Sequence, residues 1–161
     1  MASLKLKADV LAPEHAKKLK FTGQHPSRFL KIVPDLMKSI FKLGGSKFYE
    51  DKIKWDVSTE NTDFYGEWRG NDPKDERTSV WAKVKVFGSQ NKDKMGSIEI
   101  EVTGTLQTEF KYSNLMGKGL VLLYSRLFYS EQRRKYLAEA KMRLEELENE
   151  LKKELDKMVV K

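Results

Sequence analysis

The chain contains no cysteine and only two histidines in 161 residues. The absence of cysteine excludes disulfides, thiolate metal sites and cysteine nucleophiles. His15 and His25 sit in turn-like segments away from any acidic cluster, so neither has metal-ligand or acid–base partners at workable spacing. No Gly-x-Ser-x-Gly turn occurs. Gly44-Gly45-Ser46-Lys47 lacks the spacing of a phosphate loop and follows a helical pattern instead of opening one. These gaps lead us to expect neither metal nor cofactor. Long apolar runs are also missing: the best candidate, residues 120–124, is far short of the roughly 20 residues that cross a bilayer. The first ten residues alternate charged and apolar side chains and lack the apolar core of a secretory signal. A cytoplasmic location is therefore expected.

Charge, by contrast, is abundant. Charged residues make up 34% of the chain and the net charge is +7. A basic balance suits nucleic acid, an anionic membrane or an acidic partner, and it also suits a merely solvated surface. The lysines are spread along the whole chain, with short clusters at Lys17-Lys18-Lys20 and Arg133-Arg134-Lys135. Plentiful Lys and Glu without cysteine also fit a thermophilic, cytosolic protein.

The strongest pattern is period two. Apolar residues alternate at Ile53, Trp55 and Val57, at Phe64 and Trp68, and at Val80, Ala82, Val84 and Val86. They do so again at Ile98, Ile100, Val102, Leu106 and Phe110. One oily face at this period predicts antiparallel strands near 47–57, 63–70, 79–88 and 96–110, joined as hairpins by turns rich in Asn, Asp, Gly and Ser. A strand over 4–10 and a short one near 19–23 precede them. Gly104 inside the longest strand suggests a bulge or bend.

Two segments read as helix. Phe29, Ile32, Val33, Leu36, Met37, Ile40 and Phe41 recur at three- and four-residue steps. Pro34 interrupts them, so a bend or two short helices are expected there, with Gly44-Gly45 as the stop. The second helix covers about 115–159. Its later half carries Leu137, Ala140, Leu144, Leu147, Leu151, Leu155 and Met158 at heptad-like spacing. We therefore read an α+β domain over 1–136, which includes the start of the C-terminal helix, and an amphipathic helical extension over 137–161. The exposed leucines of such an extension need a cover, either the chain's own domain after a kink near Arg133 or another chain, and a homodimer through 137–158 is expected.

Strand parity nominates a site. Tyr49, Asp51, Trp55, Phe64 and Trp68 share one parity with the oily face, as do Ile100, Val102 and Thr108. Aromatics this large either line a hollow or fill a solid core. Tyr65, Trp81 and Phe87 have the opposite parity, amid Lys52, Lys54, Arg69, Lys83 and Lys85. On that face they could stack on nucleic-acid bases.

The element order is strand, helix pair over 26–45, glycine stop, antiparallel meander and long C-terminal helix from Leu115. This order resembles the helix-grip fold of the START and Bet v 1-like superfamily. The segments Phe48-Tyr49-Glu50-Asp51-Lys52-Ile53-Lys54-Trp55 and Phe64-Tyr65-Gly66-Glu67-Trp68 look like those of uncharacterised archaeal proteins with this architecture. The resemblance implies a curved antiparallel sheet gripping the C-terminal helix, with a hydrophobic cavity between them for a lipid or other apolar small molecule. On that reading the lining is Tyr49, Asp51, Trp55, Phe64, Trp68, Ile100, Val102, Thr108, Leu123 and Leu127. The first alternative is a nucleic-acid-binding protein. The second is a cyclase- or hydrolase-like enzyme on the same scaffold, drawing on Asp51, Thr108 and Tyr49.

Overall fold

A computed structural model describes residues 2–158; the last residues of the expected tail, 159–161, and the side chain of Met158 lie outside the described residues. The fold is α+β. A six-stranded antiparallel sheet is ordered β1-β6-β5-β4-β3, and β2 also pairs with β6. The strands are β1 (Ala2–Asp9), β2 (Lys17–Gln24), β3 (Phe48–Asp56), β4 (Thr62–Pro73), β5 (Thr78–Gln90) and β6 (Met95–Tyr112). Helix α1 (Phe29–Phe41) follows a 3-10 turn at Pro26–Arg28, and the chain ends in α2 (Leu115–Tyr124), a π turn (Ser125–Tyr129) and α3 (Ser130–Met158). Curved sheet, short helix and long C-terminal helix make a helix-grip-like architecture.

The eighteen residues of β6 organise the sheet. Its C-terminal half pairs with β1 from Thr105 to Tyr112, and its N-terminal half pairs with β2 from Met95 to Val102. The chain changes from one to the other at Val10 and Leu11, both buried, and the Val10 amide donates to the Gly104 carbonyl at 3.0 Å. Gly104 makes no bulge against β5, where it pairs with Ala82. It is needed for closeness instead: a Cβ there would lie 2.4 Å from Leu144 Cδ1 of α3.

The bulge lies in β3, where the register slips between Glu50 and Lys52. One extra residue reverses the alternation on either side of it. Glu50 therefore pairs with inward-facing Trp68, whereas Tyr49 pairs with Arg69 on the outer face. The expectation that Tyr49 and Asp51 share a face with Trp55 is corrected for this reason.

Pro34 is tolerated inside a single helix of thirteen residues, α1, whose C-cap is Lys42 in the left-handed conformation (φ 54°), not glycine. The Leu43 amide closes this end on the Lys38 carbonyl. Phe29, Val33 and Met37 face the sheet and are fully buried.

The leucine stripe of the last helix finds its cover within the chain. Ala140, Leu144, Leu147, Leu151 and Leu155 belong to the same core as Val33, Met37, Trp68, Ile100 and Val102. The gripping helix is α3, which packs on β6, β2, β5 and α1. The leucine stripe is covered by its own domain, so the reason for a dimer through 137–158 disappears.

The exposed stretch is the earlier one. Leu115, Met116, Leu120, Leu123, Leu127 and Phe128 all face solvent, while Ser125 and Tyr129 are buried. The π turn explains the difference. A one-residue insertion in the helical ladder rotates the turns on its N-terminal side relative to those on its C-terminal side. The face of α3 that bears Leu144 then continues through Tyr129 and Ser125, and the apolar stripe of α2 is turned outward.

Candidate functional site

The space between sheet and α3 is packed. Phe64, Trp68, Ile100 and Val102 are each at most 3% exposed and sit in one continuous core with the α1 and α3 side chains. Of the two alternatives, hollow or solid core, these four residues take the second. Trp55 stacks on Phe64 with ring centroids 6.0 Å apart but remains half exposed at the sheet edge. Tyr49 and Asp51 lie on the outer face, where Asp51 accepts from Arg69 Nε at 2.6 Å. Leu123 and Leu127 point to solvent, 54% and 64% exposed. The ten expected lining residues are therefore not one site. Asp51 and Thr108, the polar pair an enzyme would draw on, lie on opposite faces of the sheet.

Thr108 does mark something. It pairs with Thr78 across β5 and β6 and is fully buried. Arg133 Nε donates to Thr108 Oγ1 at 2.9 Å, Thr108 and Thr78 hydroxyls meet at 2.9 Å, and Thr78 meets the Tyr129 hydroxyl at 2.7 Å. Tyr129 in turn donates to Asp75. A guanidinium only donates and a carboxylate only accepts, so the three hydroxyls between them must all point one way, from Arg133 to Asp75. Such a chain polarises cooperatively in a dry setting. Asp75 also caps its own turn, accepting from the Arg77 and Thr78 amides at 2.8 Å each.

These contacts shift the titrations. Burial raises the Tyr129 phenol and the Asp75 hydrogen bond raises it further, to about 12. Burial also acts to raise Asp75, but the hydrogen bonds from Tyr129 and from the Arg77 and Thr78 amides outweigh it and leave the carboxyl below its ordinary value. A phenol whose folded pKa exceeds the unfolded value of about 10 stabilises the fold fully below that pH. The contribution is lost as the pH rises through about 12. We expect Tyr129→Phe to flatten the fall in melting temperature between about pH 10 and 12; an unchanged alkaline profile would contradict the chain of contacts.

Beside this network lies a cleft of about 500 Å³ lined by Arg77, Glu109, Phe110, Lys111, Leu120, Val121 and Tyr124. Its position follows from the strand lengths. The ladder between β5 and β6 begins at Thr78 and Thr108 and is extended by the Glu109 amide donating to the Arg77 carbonyl at 2.9 Å, so residues 110–112 of β6 run on beside β1 alone. Helix α2 crosses back over this overhang, starting from Asn114, whose side chain accepts from the Gly117 amide at 2.7 Å. Phe110 anchors the back of the cleft, edge-on to Tyr124 at 6.1 Å and to Tyr129 at 5.5 Å. The Arg77 guanidinium rests over the Phe110 and Tyr124 rings at 5.6 and 5.8 Å. The result is an aromatic and aliphatic wall with two cations and one carboxylate at the rim. Among the described residues, no three His, Asp or Glu side chains converge to hold a metal ion.

The outer face is occupied by its own contacts. Arg69 lies over both Tyr49 and Trp81, at 5.1 and 5.2 Å from the ring centroids. Lys83 pairs with Glu67 at 2.6 Å, and Lys85 stands opposite Glu101 in the β5–β6 register. A base would have to displace these partners to stack there.

Known proteins add little. No family profile and no curated protein matches the chain. Among solved structures, a protein of unknown function from Staphylococcus aureus aligns over 96% of both chains at 7% identity with a TM-score of 0.34. Ara h 8.0201 aligns over 78% of this chain and 98% of its own, at 14% identity and a TM-score of 0.21. An uncharacterised protein from Rhizobium leguminosarum aligns over 91% of this chain and 99% of its own, at 8% identity and a TM-score of 0.20. Scores this low carry no argument, and the helix-grip-like description rests on element order and pairing alone.

Proposed function

We propose that this chain is a small-molecule-binding protein of the helix-grip type, related to the START and Bet v 1-like superfamily, whose ligand is apolar or lipid-like. The supporting observation is the cleft between α2 and the overhanging end of β6. It takes the place of the hollow expected deeper between sheet and helix. A ligand there lays its apolar part against Phe110, Leu120, Val121 and Tyr124 and turns its polar end toward Arg77, Glu109 and Lys111. Each 100 Å² of apolar surface removed from water contributes about 2.5 kcal/mol before the costs of association. The reading is one of binding, because the described rim residues offer charge to a ligand's polar end.

Native mass spectrometry of protein purified from its own host tests this first, with an adduct as the expected result. A polarity-sensitive dye such as ANS tests it without knowledge of the ligand. The dye should bind the native protein, and Tyr124→Ala should weaken it by on the order of tenfold, because an aromatic wall is removed. A native state that binds neither adduct nor dye would end the reading.

A further inference from the structure

Half of the exposed large apolar side chains among the described residues fall within 115–128. Met116, Leu120, Leu123 and Leu127 form a stripe along α2 and the π turn, with Leu115 and Phe128 beside it. The opposite side of the same segment is held by the domain through Ser125 and Tyr129. Water does not favour an apolar face of this kind, so it needs a partner.

Charge selects among partners. Between Glu109 and Glu131 the chain has no acidic residue, whereas Lys111, Lys118 and Arg126 are all basic and exposed. Arg134 and Lys135 follow, also exposed. None of these five has a carboxylate within 4.0 Å among the described residues. A second copy would bring the same unpaired cations to the contact, and each chain carries a net charge of +7. An anionic surface meets the opposite sign. The ten residues of α2 and five of the π turn cover about 22 Å at 1.5 Å per residue, too short to span a bilayer but suited to lying in its interface.

We propose that the outward face of α2 and the π turn docks the protein on an anionic phospholipid bilayer, with the apolar stripe among the acyl chains and the cations at the headgroups. Leu120 and Tyr124 also line the cleft, so docking brings the mouth of the cleft to the lipid. That consequence rests on the ligand reading; the docking itself does not.

Co-sedimentation of the full chain with vesicles decides the matter. Binding is expected to equimolar phosphatidylglycerol and phosphatidylcholine, weakening as salt screens the cations, and no comparable binding to phosphatidylcholine alone. The double variant Leu123→Glu/Leu127→Glu should lose at least about tenfold in affinity while keeping the parent melting temperature, since both side chains are exposed. Lys118→Gln/Arg126→Gln should lose several-fold and respond less to salt. Equal binding by the leucine variant, or no binding to anionic vesicles, overturns the proposal. So does a concentration-dependent dimer in light scattering that the leucine variant abolishes, which would give the face to a second copy. Vesicle binding retained by Tyr124→Ala after dye binding is lost separates docking from the cleft.

Discussion

A chain ending at Lys135 will not fold. The truncation removes Ala140, Leu144, Leu147, Leu151 and Leu155, of which the three central leucines are fully buried. It also exposes the inner faces of β2, β5 and β6, on which α3 packs. At about 2 kcal/mol for each buried leucine the loss is on the order of 8 kcal/mol, comparable with the whole stability of an ordinary domain. The Lys74 ammonium loses its 2.9 Å contact with Glu139 as well. Circular dichroism and a thermal melt compare the truncated and full chains, and the expected result is loss of the cooperative transition. A truncated chain that melts cooperatively would restore the view of 137–161 as an extension of a domain that folds without it.

Trp68→Ala is expected to cost about 3–5 kcal/mol, the range for truncating a large core aromatic, and to lower the melting temperature by about 10 °C or more in a chain of this size. Trp68 is fully buried, and its Nε1 donates to Glu50 Oε1 at 3.3 Å. Its ring spreads across the strand onto Gly66, where a Cβ would meet Trp68 Cη2 at 2.4 Å. The two positions are therefore coupled, and Gly66→Ala alone should destabilise by forcing the indole aside. In the Trp68→Ala background that penalty should shrink, because the obstructing ring is gone. Additive losses in the double variant would contradict the packing described.

What the sequence revealed depended on the range of the signal. Alternation along β4, β5 and β6 identified Phe64, Trp68, Ile100 and Val102 as inward because nothing interrupts the register between their neighbours. The same logic failed in β3, since a single extra residue at Glu50/Lys52 changes the face without leaving a mark in composition. The leucine spacing of 144, 147, 151 and 155 predicted an apolar stripe correctly, but period alone does not distinguish a coiled-coil seam from a helix lying on its own sheet. In the structure the stripe lies on its own sheet, packed against β2, β5, β6 and α1, contacts that no local spacing encodes. Thr108 was singled out as a polar residue at inward parity, and it does join a buried polar network. The cleft beside it was missed. Its signal was the mismatch in length between β5, which starts at Thr78, and β6, which runs on to Tyr112; hairpin pairing must be laid out before that overhang becomes visible.

The central claim is that an apolar ligand enters the α2–β6 cleft while the space under α3 stays packed. Methyl-labelled NMR during titration with a medium-chain fatty acid tests both halves together. Shift changes confined to Leu120, Val121 and their neighbours, with Ile100, Val102, Leu144 and Leu147 unmoved, are the predicted result. Large changes at Ile100, Val102, Leu144 and Leu147, or no change at Leu120 and Val121, would contradict it.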